Sequence, residues 1–351
     1  MIVPTTYVSA VALAILAFLC WGSWVNTFRL AGKWRFELYY YDFTFGVVFA
    51  ALAAAFTFGS LGTELSFSDN FLIAGKLKMA AGFGAGLVIN LAGFLLLAAV
   101  SVAGFSVALP LGMGIAIIVS AVWRALSGSS GGAEVWIGLV LVLLAVLVDA
   151  IAWLLDAPSR KPILMEEPLP APRGVRVTAR PKPVRPSGAK GIALSVAGGI
   201  LLGAFSPLSS WAREGDNGLG PYSLILLMAG GIFVSTFIYN VYFLNLPVQG
   251  QALGMLQYFK GSVKQHLLGL LGGAIWCAGL TCILVEQNAP RQVRPGAILG
   301  FGMIQAAPLL AALWGLFAWQ EFRGAAAALK GMLLAVFVLF AAGILMIGRA
   351  S

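Results

Sequence analysis

Runs of about 20 consecutive apolar residues decide what this chain can fold into, because a bilayer's hydrocarbon core takes a helix of that length. The sequence carries ten of them. They are Tyr7–Leu30, Tyr40–Leu61, Met79–Ala99, Val102–Trp123, Val135–Leu155, Gly191–Trp211, Tyr222–Leu244, His266–Val285, Gly296–Trp319 and Leu329–Ile347. Lipid offers no water to backbone N–H and C=O groups, so each run must close its hydrogen bonds internally as a helix. Charge is scarce enough to agree. Only 10% of the residues are charged and 60% are hydrophobic, whereas a soluble domain is about a quarter charged. The expected fold is all-α and polytopic, with ten transmembrane helices. In such a chain the net charge of +9 reports loop orientation, so no nucleic-acid partner is expected. The first run lacks the basic stretch that precedes a signal-peptide core, and is expected to stay as a spanning helix.

Residues 157–190, APSRKPILMEEPLPAPRGVRVTARPKPVRPSGAK, break the pattern. Proline and basic residues dominate and aromatics are absent, a composition that cannot build a core and reads as a semi-extended tether. Docking onto anionic lipid headgroups is its second reading. The tether divides the chain into two five-helix units, 1–156 and 191–351. With its charges counted, basic residues crowd the face opposite the termini. The positive-inside rule then places the tether in the cytoplasm and both termini outside the cell's inner membrane.

The two units echo each other. Ala92-Gly93 aligns with Ala278-Gly279, Gly112-Met113 with Gly302-Met303, and Val122-Trp123 with Leu313-Trp314. Near the start of each unit Ile15 matches Ile200 and Trp24 matches Trp211. An odd number of spans per unit inserts the second copy upside down. The expected architecture is therefore two inverted-topology five-helix repeats, a plan that places a solute site near the membrane midplane.

A charged group at the centre of a spanning helix costs about 2.5–3.5 kcal/mol on insertion scales, so polar residues inside the runs need reasons. Asp149 is the one carboxylate deep in a run, and shares a helix face with Trp153 and Asp156 at i, i+4 and i+7. It reads as a protonatable coupling residue, or as a carboxylate bonded to a neighbouring helix. Asp42 and Glu286 are the other coupling candidates. Asp42 equally suits a helix N-terminus as a cap, and Glu286 an interfacial pair with Arg291. Glu321 and Arg323 read as a local ion pair, and His266, the only histidine, as a headgroup-level residue.

Neutral amides can serve the hydroxyls of a sugar or the N–H and C=O groups of a ureide or nucleobase. They can equally bond from helix to helix. The candidates are Asn26, Asn90, Asn240 and Gln305, with Trp21 and Trp276 as planes for stacking a ring or for ordinary packing. In GMIQAAPLLAALWGLFAWQEF (302–322), Gln305 stands just before Pro308, whose missing N–H frees the carbonyl of Ile304. Cys20, Cys277 and Cys282 lack metal-ligand spacing. The glycine-rich fragments follow no strand, and no cofactor is expected. One histidine and scattered acids argue against an enzyme.

Four stretches, in order, resemble one family. They are YYYDFTFGVVFAALAAAFTFGSLG (39–62), GGILLGAFSPL (198–208), YFKGSVKQHLLGLLGGAIWCAGL (258–280) and GFGMIQAAPLLAALWGLFAWQEF (300–322). Each is similar to a helix of the drug/metabolite transporter superfamily, in its ureide permease and rhamnose/glucose uptake branch. The resemblance implies ten helices, termini outside, a central cytoplasmic loop and a secondary transporter of ureides, nucleobases or sugars. Plant ureide permeases carry a phosphate-loop-like motif in that loop. Here the loop has no G-x-x-x-x-G-K-[ST], so nucleotide binding is not implied. The expected function is secondary active transport of a small polar solute, with a proton or other cation as coupling ion and membrane lipid as surroundings. Export of drugs or metabolites is the alternative, and a membrane-embedded enzyme or scaffold the third reading.

Overall fold

The computed structural model describes residues 1–127, 132–156, 188–296 and 298–349. Most of the expected tether lies outside the described residues. The fold is built from α1 (Tyr7–Ser23), α2 (Asn26–Leu30), α3 (Phe36–Phe56), α4 (Phe67–Ile73), α5 (Lys76–Ala103), α6 (Phe105–Leu126) and α7 (Ala133–Asp156). Then follow α8 (Gly188–Arg213), α9 (Pro221–Asn245), a 3-10 turn (Met255–Lys260), α10 (Val263–Gln287), α11 (Met303–Gln305), α12 (Ala307–Leu313) and α13 (Ala327–Arg349). Among the described residues nine helices are long and apolar enough to cross a membrane, α1 and α2 counting as one. Large apolar side chains such as Phe49, Leu147, Ile238 and Val338 face outward, as a lipid-immersed surface requires. This is the architecture of a polytopic helical membrane protein.

Local chemistry sets the helix ends. Thr6 accepts from the Ser9 N–H and Ser9 returns the bond, a capping box that starts α1. Ser262 and Gln265 do the same for α10. Pro221 opens α9, where its missing N–H is one of the unpaired groups anyway. Gly104 ends α5 and precedes α6 at φ 78°, a left-handed conformation that suits a residue without a Cβ.

The expected ninth span, Gly296–Trp319, is not one continuous helix. It runs as a π-turn (Ile298–Gly302), α11, α12 and a second π-turn (Trp314–Ala318). Average hydropathy recognises a run but not a break within it. α3 also begins earlier than its run, at Phe36, because the polar FELYYYD stretch is already helical.

Among its stronger pairings, α3 packs on α9 and α10, α5 on α8 and α9, α1 on α10, α6 on α7 and α8, and α7 on α13. The broken passage lies against α1 and α6. Glycine lets several of these backbones touch. A Cβ on Gly273 of α10 would fall 1.8 Å from the Phe43 carbonyl oxygen, and one on Gly46 of α3 would fall 2.1 Å from that of Leu270. In the α5–α9 contact, a Cβ on Gly86 or on Gly231 would fall 2.3 Å from the Met228 or Phe83 carbonyl oxygen. Such close approach drives helix association where lipid removes the hydrophobic incentive.

Hydrogen bonds identify the two ends of the bundle. At one, the Met1 amino group donates to the Glu64 carbonyl (2.6 Å), Asn70 to Gly218 (3.1 Å) and Lys78 to Trp211 (2.7 Å). At the other, Arg35 donates to the Gln251 carbonyl (2.5 Å), Gln249 to Ser101 (3.2 Å), and Lys190 to the Val248 carbonyl. The start of α1 lies near the first end and the start of α8 at the second, so these two helices run in opposite directions.

Candidate functional site

The broken passage is the least regular stretch that crosses the bundle. Pro308 has no N–H to give to Ile304, and the chain resolves this with a tight step at Ala306. The Ala306 N–H bonds to Gly302 (3.0 Å) and Met303 (3.1 Å), and Leu309 bonds back to Ala306 (2.9 Å). Gln305 sits at this step, half-buried, and no hydrogen bond to its side chain is formed among the described residues. Its neighbour Ile304 is buried against Ala17 of α1 and Ile283 of α10, with Trp21 packed on the same cluster. The passage ends beside α1 and α2. Trp314 donates to Ser23 (3.1 Å), and Trp319 to the Asn26 side-chain oxygen (2.7 Å). Asn26 also donates to the Ser23 carbonyl (2.9 Å). Both halves of its amide are therefore engaged, and it ties the α1–α2 step to the end of the passage.

Trp21 and Trp276 stand far apart in sequence and meet in space. Their rings lie near-parallel, with centroids 6.2 Å apart and planes 15° from each other. The Trp21 indole donates to the Trp276 carbonyl (3.2 Å). Phe43 meets Trp276 edge-on at 5.9 Å and Tyr40 at 4.9 Å. The Tyr40 hydroxyl then reaches the backbone carbonyl of Asn90 (3.3 Å). Aromatic contact thus runs from Trp21, packed on the Ile304 cluster, to Tyr40, and a hydrogen bond carries it on to the Asn90 backbone.

Asn90 is buried and points at α9. Its amide nitrogen donates to the Ile232 carbonyl (3.1 Å), the Ser235 hydroxyl (2.8 Å) and the Thr236 hydroxyl (3.0 Å). Thr236 is joined to Thr44 of α3 at 2.8 Å. The Asn90 side-chain oxygen is buried with no partner. One turn beyond Thr236, the buried Asn240 amide adjoins the Tyr41 hydroxyl of α3. An unpaired buried amide atom costs roughly 1–3 kcal/mol, and the Asn90 oxygen is one, on the helix packed against α9.

The four acids of interest, Asp149, Glu286, Asp42 and Glu321, have four different surroundings. Asp149 is 0% exposed and neither carboxylate oxygen has a partner. It lies on the buried face of α7, among helices α6, α8 and α13, away from the aromatic chain. Glu286 is buried near the opposite end. Its neighbouring cation is Arg294 rather than the expected Arg291. Arg294 turns away to bond the Ala289 carbonyl (2.7 Å).

Asp42 is no helix cap, since α3 begins six residues earlier. One of its oxygens accepts from the Tyr258 hydroxyl (2.5 Å), and the other pairs with Nδ1 of His266 (2.8 Å). His266 is correspondingly more than a headgroup residue: Trp34 and Tyr258 pack edge-on against it at 5.5 and 4.8 Å. Burial, then the adjoining Asp42 carboxylate, pushes the Tyr258 phenol up from its ordinary value.

Glu321 forms no pair with Arg323, which turns to Gln320 (3.1 Å). Its carboxylate instead accepts the N–H groups of Phe105 (2.8 Å) and Ser106 (2.9 Å) at the start of α6. Thr44, Ser235, Thr236 and Tyr258 join these residues only in the folded chain. A polar residue every turn on one face of the α9 run was the available signal for Thr236 and Asn240.

No protein-family model matches the sequence. The class of protein rests on the helices alone: a polytopic helical membrane protein with a polar and aromatic centre.

Proposed function

We propose that the chain is a secondary active transporter of a small polar solute, a sugar, ureide or nucleobase-like molecule, taken up with a proton by alternating access. On this reading the broken passage is a tenth crossing, and the chain is a drug/metabolite transporter with two inverted five-helix repeats. Its termini lie outside the inner membrane and its tether in the cytoplasm.

The packing pattern carries the reading. Exchange α1 with α8, α3 with α9, α5 with α10, α6 with the broken passage, and α7 with α13. The partners then map onto one another: α3–α10 becomes α9–α5, α5–α8 becomes α10–α1, and α6–α8 becomes the passage on α1. The pairings α7–α13 and α3–α9 map onto themselves. The touching glycines follow the same rule, Gly46 and Gly273 exchanging with Gly231 and Gly86. Duplicated halves that differ in polar chemistry are what a central solute site requires. Here the second copy holds Gln305 where the first has Ile115. The amides and the Trp21–Trp276 planes offer donors, acceptors and a stacking face to an uncharged ring.

Uptake into proteoliposomes, with and without an imposed pH gradient, tests this over sugars, ureides and nucleobases. Background flux for all of them would sink it. Gln305→Ala is expected to raise the apparent KM about tenfold, one hydrogen bond's worth, with membrane insertion intact. An unchanged KM returns Gln305 to packing.

Asp149 favours a second reading, export of drugs or metabolites, because a deep unpaired carboxylate suits exchange of a proton for a cation. Asp149→Asn is then expected to abolish the pH-gradient dependence of flux, at least tenfold at the optimal gradient. Full coupling in that variant removes both this reading and Asp149 as a coupling residue.

A further inference from the structure

Residues 246–262, joining α9 to α10, lie as a strap over the bundle end where α3 begins. The start of α3 and the residue before it hold the strap at two points. Arg35, the extended residue that precedes α3, bonds the Gln251 carbonyl (2.5 Å) while its guanidinium is clamped by Glu37. Inside α3, Asp42 receives the Tyr258 hydroxyl (2.5 Å). α10 closes the arrangement through His266, 2.8 Å from the second Asp42 oxygen. A Cβ at Gly261 would fall 2.5 Å from His266 Nε2, so the strap lies directly on the imidazole. The His266 side chain is 25% exposed and that of Asp42 only 4%. The pair therefore reaches solvent through the histidine.

We propose that Asp42, His266 and Tyr258 form a proton-operated latch that fastens the strap over this end of the molecule. This deepens the transport reading and rests on it: the latch is where the coupling proton acts. While Asp42 is ionised, its two oxygens accept from both partners, one from the Tyr258 hydroxyl and the other from the His266 Nδ1–H. A proton taken from solvent onto Asp42 forms an O–H bond and removes the charge that strengthens both contacts. The neutral acid accepts only weakly from Tyr258 and turns an O–H toward one of its donors. The latch therefore holds above the pH at which Asp42 takes its proton and opens as pH falls through it. Tyr258 from the strap, His266 from α10 and Tyr39 from α3 are the titratable groups that face or adjoin Asp42. Lys260, within the strap, and Lys264, just beyond it, are exposed.

Amide hydrogen exchange of residues 246–262, in purified full-length protein at a series of pH values and corrected for intrinsic rates, tests the latch. In the wild type, protection is expected to fall roughly tenfold or more on acidification, the equivalent of one charge-assisted hydrogen bond. In Asp42→Asn it is expected not to vary with pH. A flat wild-type profile, or an unaltered pH response in Asp42→Asn, overturns the proposal. Should Asp42→Asn not fold, Tyr258→Phe decides. It removes only the phenol's bond, and at neutral pH its strap should exchange as fast as the acidified wild type. Wild-type protection there overturns the latch. No solute is needed, so the outcomes separate. A pH-responsive strap in a protein that moves no tested solute keeps the latch and sinks transport, whereas proton-driven uptake with a flat strap does the reverse.

Discussion

Replacing Gly273 with leucine is expected to abolish the native packing of α10 on α3 rather than weaken it. The atom a Cβ would strike, 1.8 Å away, is the carbonyl oxygen of Phe43, with the Val47 nitrogen at 2.9 Å. Both belong to helix backbone and cannot rotate aside as a side chain can. The helices must separate, and the loss spreads along their contact through Tyr39, Asp42 and Trp276. Overpacking in a core costs about 1–3 kcal/mol when side chains absorb it. With backbone as the obstacle the cost exceeds that range. We expect little monodisperse protein on size exclusion, and a much lower Tm in whatever is recovered. Gly331 of α13 is the control, since nothing lies within 4 Å of its Cβ position. Gly331→Ala should match or slightly exceed wild type, because alanine favours helix by up to about 1 kcal/mol. A Gly273→Leu protein that melts with the wild type would refute the close approach. If the halves are exchangeable, Gly86→Leu should be comparably damaging on the α5–α9 side.

What the sequence disclosed follows from which signals are local. Among the described residues, nine of the ten runs became helices long and apolar enough to cross a membrane, because lipid-length hydropathy is additive along a segment. Pro308 announced a break at the ninth, but neither π-turn did. The second adjoins Trp319, which reaches Asn26, and Glu321, which reaches α6, contacts between residues more than 200 positions apart. The face shared by Asp149 and Trp153 was legible from spacing, and both are buried. Apolar content starts the run at Tyr40, whereas Phe36 and Glu37 are already helical, so Asp42 lies inside α3 rather than at its cap. Its true partners, Tyr258 and His266, lie over 200 residues away, where no period or cap rule reaches. The Trp21–Trp276 stack belongs to the same class. Each tryptophan was noticeable alone, but only folding supplies the pairing.

Glu321→Ala should be the most damaging loss of a single polar contact, about 2–4 kcal/mol from two stranded donors and a lost helix-terminal charge. The first N–H groups of a helix have no partner within it. At α6 the preceding residue is Gly104, which has no side chain to supply one. Glu321 supplies both: one oxygen takes the Phe105 N–H, and the other takes the Ser106 N–H and hydroxyl at 2.8 Å. Glycine at 315 makes room, as a Cβ there would fall 2.3 Å from the Ser106 hydroxyl and 2.6 Å from the carboxylate. The same bonds fix the far end of the broken passage, so the cap and the candidate solute site share one anchor. Glu321→Gln keeps one acceptor but turns an amide N–H toward a donor, and should fall between alanine and wild type. Thermal unfolding of the set, with Ser106→Ala and the double variant, measures the coupling. A coupling of about 1.5–3 kcal/mol is expected, that of the Ser106 hydroxyl bond to the carboxylate, because Ser106→Ala leaves both backbone N–H bonds to Glu321 in place. Additive losses would mean that Glu321 and Ser106 act independently. An undiminished Tm in Glu321→Ala would show that α6 begins without help from this carboxylate.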